Sequence, residues 1–255
     1  MGTDYDSFAR FYDLEYRKVT DDLEFYRQFA ERCESPILEL GCGTGRILAH
    51  LARAGFRVTG VDASLPMLAL ARQQIDQDAR LDRRVHLEEA DMRTFALRTR
   101  FRMALCAINS FMHLMTPDDQ AACLANVHHH LTPGGLFIID IFNPDLALLL
   151  EGGGRLMLER TLVDPATSTM VTKMVSAWVD RARQVNHVTY LYDEMLQDGV
   201  VKRTVATIEQ RYLYRYEMDL LLQKNGFIVE NVYGGYDLEE FGPESFKMIF
   251  VARKE

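Results

Sequence analysis

The chain has 255 residues, 48% of them apolar, and a formal net charge of −8. That length can bury a large core as one domain or as a domain with an insertion, whereas the acidic balance argues against a surface that neutralises nucleic-acid phosphates. No apolar run approaches membrane-spanning length and no apolar signal region stands at the N-terminus, so we expect a cytoplasmic protein with no membrane and no nucleic-acid partner. The four cysteines, Cys33, Cys42, Cys106 and Cys123, lie far apart without metal-ligand spacing, as is typical of a reduced protein.

The first 35 residues are predicted to form a helical segment rich in aromatic side chains. Aromatic and apolar residues crowd the stretch from Phe8 to Tyr16, and Thr20 can cap a helix over residues 21–33. We expect this N-terminal segment, residues 1–35, to cover a ligand site in the core that follows.

A glycine-rich turn follows the first predicted strand, with the spacing E-x-G-x-G-x-G from Glu39 to Gly45. Glycine permits positive φ and lets a ligand approach the backbone closely. The helix that begins after this turn points unpaired N–H groups and a partial positive charge towards the same place. The second predicted strand ends in Asp62, whose carboxylate can accept both hydroxyls of a ribose. These features together predict a nucleoside-binding site.

Strands and helices alternate through the next hundred residues. Strands are predicted at residues 37–40, 57–62, 85–89, 103–108 and 136–142. Ser64 and Thr116 are predicted to cap the helices that follow the second and fourth strands, each with a proline in the first helical turn. This alternation predicts right-handed β-α-β units and a parallel sheet, and therefore the α/β class.

Residues 155–213 interrupt the alternation with long β-rich stretches separated by turn sequences. The stretches cover residues 156–163, 171–180, 185–196 and 200–208. Hairpins of this kind form an antiparallel sheet, which we interpret as an insertion that caps the substrate or forms a homodimer contact. The α/β pattern then resumes with a helix at residues 216–225 and strands at 227–233 and 245–253.

The glycine spacing followed by an acid at the end of the second strand resembles motif I and the next acidic position of the class I S-adenosylmethionine-dependent methyltransferases. A dinucleotide-binding turn would instead have its third glycine where Arg46 stands. The resemblance implies an α/β fold with a Rossmann-like doubly wound, mostly parallel seven-stranded sheet and the antiparallel β insertion before the last helix. The methyltransferase core would then comprise residues 36–154 and 214–255.

The insertion resembles that of a subset that acts on small molecules, the amino-sugar N-methyltransferases and glycine N-methyltransferase-like enzymes. The resemblance implies S-adenosyl-L-methionine as cofactor, S-adenosyl-L-homocysteine as product, and in-line methyl transfer to a nitrogen or oxygen of a small-molecule acceptor. Two alternatives stay open, a nicotinamide-dependent oxidoreductase and a non-catalytic S-adenosylmethionine-binding protein. The glycine spacing and the lack of a Tyr-x-x-x-Lys sequence oppose the former.

By the same resemblance the cofactor would contact Tyr12, Glu39, Gly41, Gly43, Gly45, Asp62, Ala63, Met67, Asp91, Met92 and Ile108. Asp62 would bind the ribose and Asp91 the adenine amino group. Glu39 would order the glycine turn and reach the methionine amino group, although it could serve only to cap turn amides. Met67 could equally be a core residue of its helix, and Tyr12 could simply pack as part of an N-terminal helix.

The stretch after the fourth strand, residues 107–113, occupies the motif IV position of the family. It lacks the two prolines of the N/D-P-P-Y/F motif, which argues against methylation of DNA adenine or glutamine. His113 is the candidate general base because histidine titrates near neutral pH, although it could simply hydrogen-bond at a helix start. The candidate acceptor residues are Asn109, Phe111, Tyr190, Arg211 and Tyr212. Tyr190 and Tyr212 could instead serve sheet packing or a dimer interface.

Three consecutive histidines, His128 to His130, fall at the end of a predicted helix. Successive helical side chains point about 100° apart and cannot converge on one ion, so we predict no metal site.

Overall fold

The computed structural model describes residues 4–145 and 153–255. The predicted core boundary at residue 154 therefore falls beside residues that lie outside the described part of the chain. The helices are α1 (Ala9–Tyr16), α2 (Leu23–Cys33), α3 (Arg46–Arg53), α4 (Leu65–Asp76), α5 (Ala79–Asp82), α6 (Pro117–His130) and α7 (Arg215–Lys224). Short 3-10 helices cover Asp4–Ser7 and Ser110–His113.

The central sheet has seven strands in the order β10-β11-β5-β4-β1-β2-β3. Its strands are β1 (Ile37–Leu40), β2 (Val58–Asp62), β3 (Val85–Glu89), β4 (Phe101–Cys106), β5 (Leu131–Phe142), β10 (Phe227–Tyr233) and β11 (Lys247–Lys254). β1 to β5 pair in parallel, whereas β11 runs antiparallel to both β5 and β10. The predicted fold class, a mostly parallel seven-stranded α/β sheet, is confirmed.

The order of strands reverses between β1 and β4, which are neighbours although β2 and β3 separate them in sequence. In open α/β sheets a ligand crevice forms at such a switch point, outside the carboxyl ends of the strands. Both faces of the sheet are covered, as the predominantly apolar sequences of β1, β4 and β5 require. Leu38 packs in the core on one face and Ile37 in the core on the other.

The insertion forms a separate antiparallel sheet in the order β6-β7-β8-β9. Its strands are β6 (Met157–Asp164), β7 (Thr169–Asp180), β8 (Val185–Met195) and β9 (Val201–Arg211). Apolar side chains alternate along these strands, so one face can be buried. That face packs on Phe8, which precedes α1, and on Phe11 within α1, where the Phe11 ring stacks on Tyr192 at a centroid distance of 4.4 Å. The N-terminal segment therefore lies between the insertion and the central sheet.

Most predicted elements agree with the structure to within a few residues, but β4 ends two residues earlier than predicted, at Cys106. Ile108 and Asn109 have positive φ angles of 46° and 63°, which no β-strand can contain. Within residues 4–145 and 153–255, no helix is both long and apolar enough to cross a membrane.

Candidate cofactor and acceptor site

A cavity of about 390 Å³ opens at the carboxyl ends of β1, β2 and β4, where the switch point places a ligand crevice. Its lining includes seven predicted cofactor residues near the centre of the site, Tyr12, Gly41, Gly43, Asp62, Ala63, Met67 and Ile108. Asp91 and Met92 line its far end together with Arg93 and Asp119. The sequence pattern and the fold therefore bring these predicted residues together around one space.

The glycine turn adopts the backbone conformation that its composition predicts. Gly41, Gly43 and Gly45 have φ angles of 63°, 53° and 80°. A Cβ at Gly41 would lie 2.8 Å from the Ser110 side chain, so this position has no room for one. Gly45 is not among the described residues that line the cavity. It packs against α4 and precedes the first residue of α3.

Asp62 fixes the glycine turn and the start of α4 at the same time. Its Oδ2 accepts a hydrogen bond from the Gly43 amide at 2.7 Å, and Oδ1 accepts one from the Ser64 amide at 2.8 Å. Burial raises the pKa of the Asp62 carboxyl, and the amide hydrogen bonds partly oppose that rise. Each carboxylate oxygen retains acceptor capacity towards the cavity.

Glu39 is 3% exposed and lies in a narrow annex of the cavity beside Tyr16 and Arg46. Among the described residues its Oε2 has no hydrogen-bond partner. Burial raises the pKa of Glu39 well above its usual value, and the Arg46 guanidinium opposes that rise. Arg46 itself is held by Asp22 through bonds of 2.5 and 2.6 Å. An orphaned buried carboxylate suits a cationic ligand group, which fits the amino group of S-adenosylmethionine.

The opposite end of the cavity is more exposed and richer in charge. Asp91 accepts hydrogen bonds from Arg93 at 2.9 Å from Nε and 2.5 Å from Nη2, which lowers the pKa of the Asp91 carboxyl. Arg93 also contacts Asp119.

Met67 is 2% exposed and sits in α4, where Ser64 caps the helix through the Met67 amide. Met67 is therefore a packed helix residue whose surface also reaches the cavity.

A second cavity of about 100 Å³ lies between α1, the turn after β4, and the strands β7 to β9. It shares Tyr5, Tyr12 and Ile108 with the larger cavity. Its other lining residues are Phe8, Glu15, Tyr16, Asn109, Lys173, Tyr190, Tyr192, Ile208 and Gln210. The two spaces therefore meet at a wall formed by the N-terminal segment and the turn after β4.

A buried ion pair forms one side of the second cavity. The Lys173 Nζ lies 2.8 Å from Glu15 Oε2 and 4.3 Å from the centroid of the Tyr190 ring. Tyr192 donates a hydrogen bond from its hydroxyl to Glu15 Oε1 at 2.7 Å. Glu159 is a second, more exposed partner of Lys173. The pair joins α1 to β7, so the N-terminal helix and the insertion form this cavity together.

His113 bridges the N-terminal segment and the insertion. Its Nδ1 lies 3.1 Å from the Glu209 carbonyl oxygen, and its Nε2 lies 2.9 Å from the Tyr5 hydroxyl. A carbonyl can only accept, so Nδ1 carries the proton and the Nε2 lone pair accepts from Tyr5. Burial raises the pKa of Tyr5 well above its usual value, which keeps the hydroxyl protonated.

The structure corrects several predicted acceptor residues. Phe111 and Tyr212 are 0% and 2% exposed and belong to the central core, so neither is among the described lining of the two cavities. Arg211 instead donates to the Met115 carbonyl oxygen. Asn109 does line the smaller cavity, but its Oδ1 accepts from the Phe142 amide at 2.7 Å. Tyr190 lines the smaller cavity.

Other lining residues were not predicted from the sequence. Tyr5 stands in no recognisable motif and nothing local marks it, whereas Ser110 lies in the motif IV stretch but was not singled out there. Lys173 lies on a strand whose neighbours at two-residue spacing, Val171 and Val175, are apolar and join the insertion's packing cluster. A charged residue on the buried face of a strand needs a partner, and that position could have marked Lys173 as part of a site.

The three consecutive histidines have separate surroundings. The His128 ring packs edge-on against Phe227, and His130 donates from Nδ1 to the Asn126 carbonyl oxygen at 2.8 Å. His129 is close to Arg100. Within the described ranges, no group of three or more His, Cys, Asp or Glu side chains is arranged to hold a metal ion.

Fold and site together define a nucleoside-binding α/β protein with an acid on each side of a glycine turn. Residues 37–135 match the family described as a methyltransferase domain. Over 220 residues the chain is 30% identical to the cypemycin N-terminal methyltransferase of a Streptomyces species, covering 86% of this chain and 83% of that protein. The chain therefore belongs to the class I S-adenosylmethionine-dependent methyltransferases.

Solved structures of the same fold cover nearly the whole chain. The CcbJ methyltransferase from Streptomyces caelestis superposes with a TM-score of 0.82 at 24% identity, covering 99% of this chain and 98% of that one. CalS10, an amino pentose methyltransferase from Micromonospora echinaspora solved with S-adenosylmethionine bound, superposes with a TM-score of 0.71 at 22% identity, covering 96% and 97%. S-adenosylmethionine is the cofactor of the family, and the nicotinamide-dependent alternative is excluded.

Proposed function

We propose that this enzyme transfers the methyl group of S-adenosylmethionine to the nitrogen of an amine. The observation that carries the proposal is the meeting of the two cavities at Tyr5, Tyr12 and Ile108. The smaller cavity, at about 100 Å³, suits the reacting end of an acceptor rather than a nucleic acid or a folded protein surface. A relative that matches 86% of the chain is named as an N-terminal methyltransferase, and since a chain's N-terminus ends in an amino group, that name supports nitrogen as the accepting atom.

We assign the larger cavity to the cofactor. Asp62 would accept the ribose hydroxyls, Glu39 would face the amino group, and Asp91 with Met92 would flank the adenine. The Tyr12 ring lies over the glycine turn, 3.7 Å from where a Cβ of Gly43 would be. An aromatic face at that place would favour a sulfonium cation by about 0.5–2 kcal/mol. When bound, S-adenosylmethionine supplies an activated methyl group that leaves its sulfur by in-line displacement.

We assign the smaller cavity to the acceptor. The reacting amine would enter between Tyr5, Tyr190 and Asn109, with aromatic rings excluding water from around it. Such a site contributes mainly by orientation, since the donor is already activated. The wall shared with the larger cavity would set the approach of the nitrogen to the methyl group.

We assign proton acceptance to His113, acting through Tyr5. An amine is protonated near neutral pH and must lose a proton before its lone pair can attack. The Tyr5 hydroxyl lines both cavities and donates to the unprotonated Nε2 of His113. A proton accepted by the Tyr5 oxygen can therefore pass to His113 as the hydroxyl proton moves onto Nε2.

The proposal is tested with acceptor pairs that differ only in the reacting atom. Glycine with glycolate, glucosamine with glucose, and a short peptide with its N-acetylated form would each be incubated with S-adenosylmethionine. Formation of S-adenosylhomocysteine and the mass of the methylated product would be followed. We expect products only from members with a free amine; methylation confined to the hydroxyl compounds, or cofactor binding without turnover of any amine, would contradict the proposal.

A further inference from the structure

Asp140 is a fully buried carboxylate near the end of β5, outside the lining of both cavities. It accepts hydrogen bonds from the Tyr236 hydroxyl at 2.6 Å and the Tyr26 hydroxyl at 3.2 Å. Lys247 Nζ lies 3.0 Å from its other oxygen. The Ile108 amide also donates to its Oδ2, at 3.3 Å. One buried carboxylate therefore contacts α2, β11, the segment after β10 and the turn after β4.

The turn after β4 adopts a conformation that its residues resist. Ile108 has a φ of 46°, and a β-branched residue at positive φ is strained by about 1–3 kcal/mol. Such a conformation persists only where the surroundings fix it. The Asn109 amide donates to the Asp140 carbonyl oxygen at 2.9 Å, and the Asn109 side chain accepts from the Phe142 amide at 2.7 Å. The end of β5 therefore holds both residues that have positive φ.

This turn, together with the N-terminal segment, also separates the two cavities. Ile108 lines the larger cavity, its annex and the smaller cavity, and Asn109 lines the smaller one. A relaxation of Ile108 towards negative φ would move this wall and change the spacing between the two ligands. Errors of about 1 Å in such spacing are costly to transfer reactions.

We propose that Asp140 is a positioning residue that holds the Ile108–Asn109 turn in its strained form and so sets the wall between cofactor and acceptor. The charged carboxylate makes the Ile108 contact stronger than a neutral acceptor would. The Tyr26 and Tyr236 hydroxyls orient the carboxylate through Oδ2, the oxygen that faces Ile108, whereas Lys247 compensates its burial from Oδ1. The inference rests on the proposed function only in naming what the wall separates.

The alternative is that Asp140 only stabilises the fold through its ion pair with Lys247. The two roles are separated by comparing Asp140→Asn with Lys247→Met. Asp140→Asn weakens the hold on Ile108, because a neutral amide accepts more weakly. Lys247→Met removes the ion-pair partner and lowers stability, because a buried charge loses its compensation, but it leaves the carboxylate facing the Ile108 amide.

The measurements are amide hydrogen exchange at Ile108 and Asn109 and the affinity for S-adenosylhomocysteine by calorimetry, with thermal unfolding as the stability reference. In Asp140→Asn we expect exchange at these two amides to rise by about tenfold or more, and affinity to fall by about threefold to tenfold. In Lys247→Met we expect a lower melting temperature. Amide exchange at Ile108 and Asn109 and the affinity for S-adenosylhomocysteine should both stay within about twofold of the unsubstituted enzyme.

Equal effects of the two substitutions, or unchanged exchange at Ile108 in a folded Asp140→Asn variant, would overturn the proposal. If Asp140→Asn does not fold, Asp140→Glu serves in its place, because the longer side chain keeps the charge but displaces the oxygen that faces Ile108. Equal effects of Asp140→Glu and Lys247→Met, or unchanged exchange at Ile108 in Asp140→Glu, would then overturn the proposal. The exchange measurement needs no acceptor, so it can fail while the proposed amine methylation stands, and the reverse is equally true.

Discussion

The Asp62 carboxylate reaches back to the glycine turn, where its Oδ2 accepts a hydrogen bond from the Gly43 amide at 2.7 Å. The second strand thereby controls the shape of the loop that leaves the first strand. One acid both lines the cavity and fixes the backbone on the far side of it. Loss of its charge should therefore act on the cofactor twice, by removing a ribose partner and by loosening the turn.

Asp62→Asn should weaken S-adenosylhomocysteine binding by about tenfold to 150-fold, the equivalent of one charge-assisted hydrogen bond of about 1.5–3 kcal/mol. Calorimetric titration gives the dissociation constant directly. Asp76→Asn is a matched control because Asp76 is an exposed carboxylate at the end of α4. Equal affinity of the Asp62 variant and the control would remove Asp62 from the site.

Glu39→Gln should stabilise the enzyme without cofactor, and increasingly so as pH rises. Because burial raises the folded-state pKa of Glu39, the folded protein holds this proton while the unfolded chain releases it. The unsubstituted enzyme therefore loses stability relative to the variant as pH rises from the unfolded pKa, by up to about 1.4 kcal/mol per pH unit, until the folded pKa is passed.

Urea unfolding at pH 5 and pH 7 measures this difference. Glu244→Gln, at an exposed position, is the control and should show no such dependence. A difference between Glu39→Gln and the unsubstituted enzyme that shrinks as pH rises would contradict the assigned direction of the shift. Saturating S-adenosylmethionine should reverse the order of stability, because only the carboxylate gains an ionic partner.

Tyr5→Phe should lower kcat by about tenfold to 100-fold, since it breaks the proton route to His113 at its first atom. The substitution keeps the ring contacts with Phe8 and Tyr12, so S-adenosylhomocysteine affinity should change by less than about threefold. Steady-state kinetics with an accepted amine supply the test. Tyr216→Phe removes a hydroxyl from a side chain that is 78% exposed and should be neutral. A Tyr5→Phe variant with full kcat would exclude the relay.

Glu15→Gln should destabilise the enzyme by about 1–3 kcal/mol, because Lys173 stays buried with Glu159 as its remaining close acidic partner. Adding Lys173→Met should recover much of that loss, since two neutral side chains need no compensation. Urea unfolding of both single variants and the double variant measures the coupling. Strictly additive losses would mean that the two charges do not depend on each other.

The layout of the fold was predictable because periodicity and turn residues report it locally. Glu39 and Asp62 could be placed for the same reason, since each stands at the end of a strand beside the glycine turn. The turn at Ile108 was not predictable, because isoleucine disfavours positive φ and the next residue, Asn109, merely tolerates it; contacts from Asp140 and Phe142 hold the turn.

The acceptor side was harder to predict because its residues come from distant segments. Phe111 and Tyr212 stand close in sequence to residues that line the cavities, yet they turn into the core. Glu15 and Lys173 are 158 positions apart and meet only in the folded protein. Alternation along a strand identifies which residues share a face, but it does not say which face meets the cofactor.

The ion pair between Glu15 and Lys173 limits how the acceptor specificity of this architecture can be changed by replacing the insertion. Every described residue that lines the larger cavity lies between Tyr5 and Asp119, whereas the smaller cavity also draws on β7 to β9. A chimaera that received another insertion would keep every described residue that lines the proposed cofactor cavity. It would also carry an unmatched glutamate on α1, so a viable graft must transplant position 15 along with the new strands.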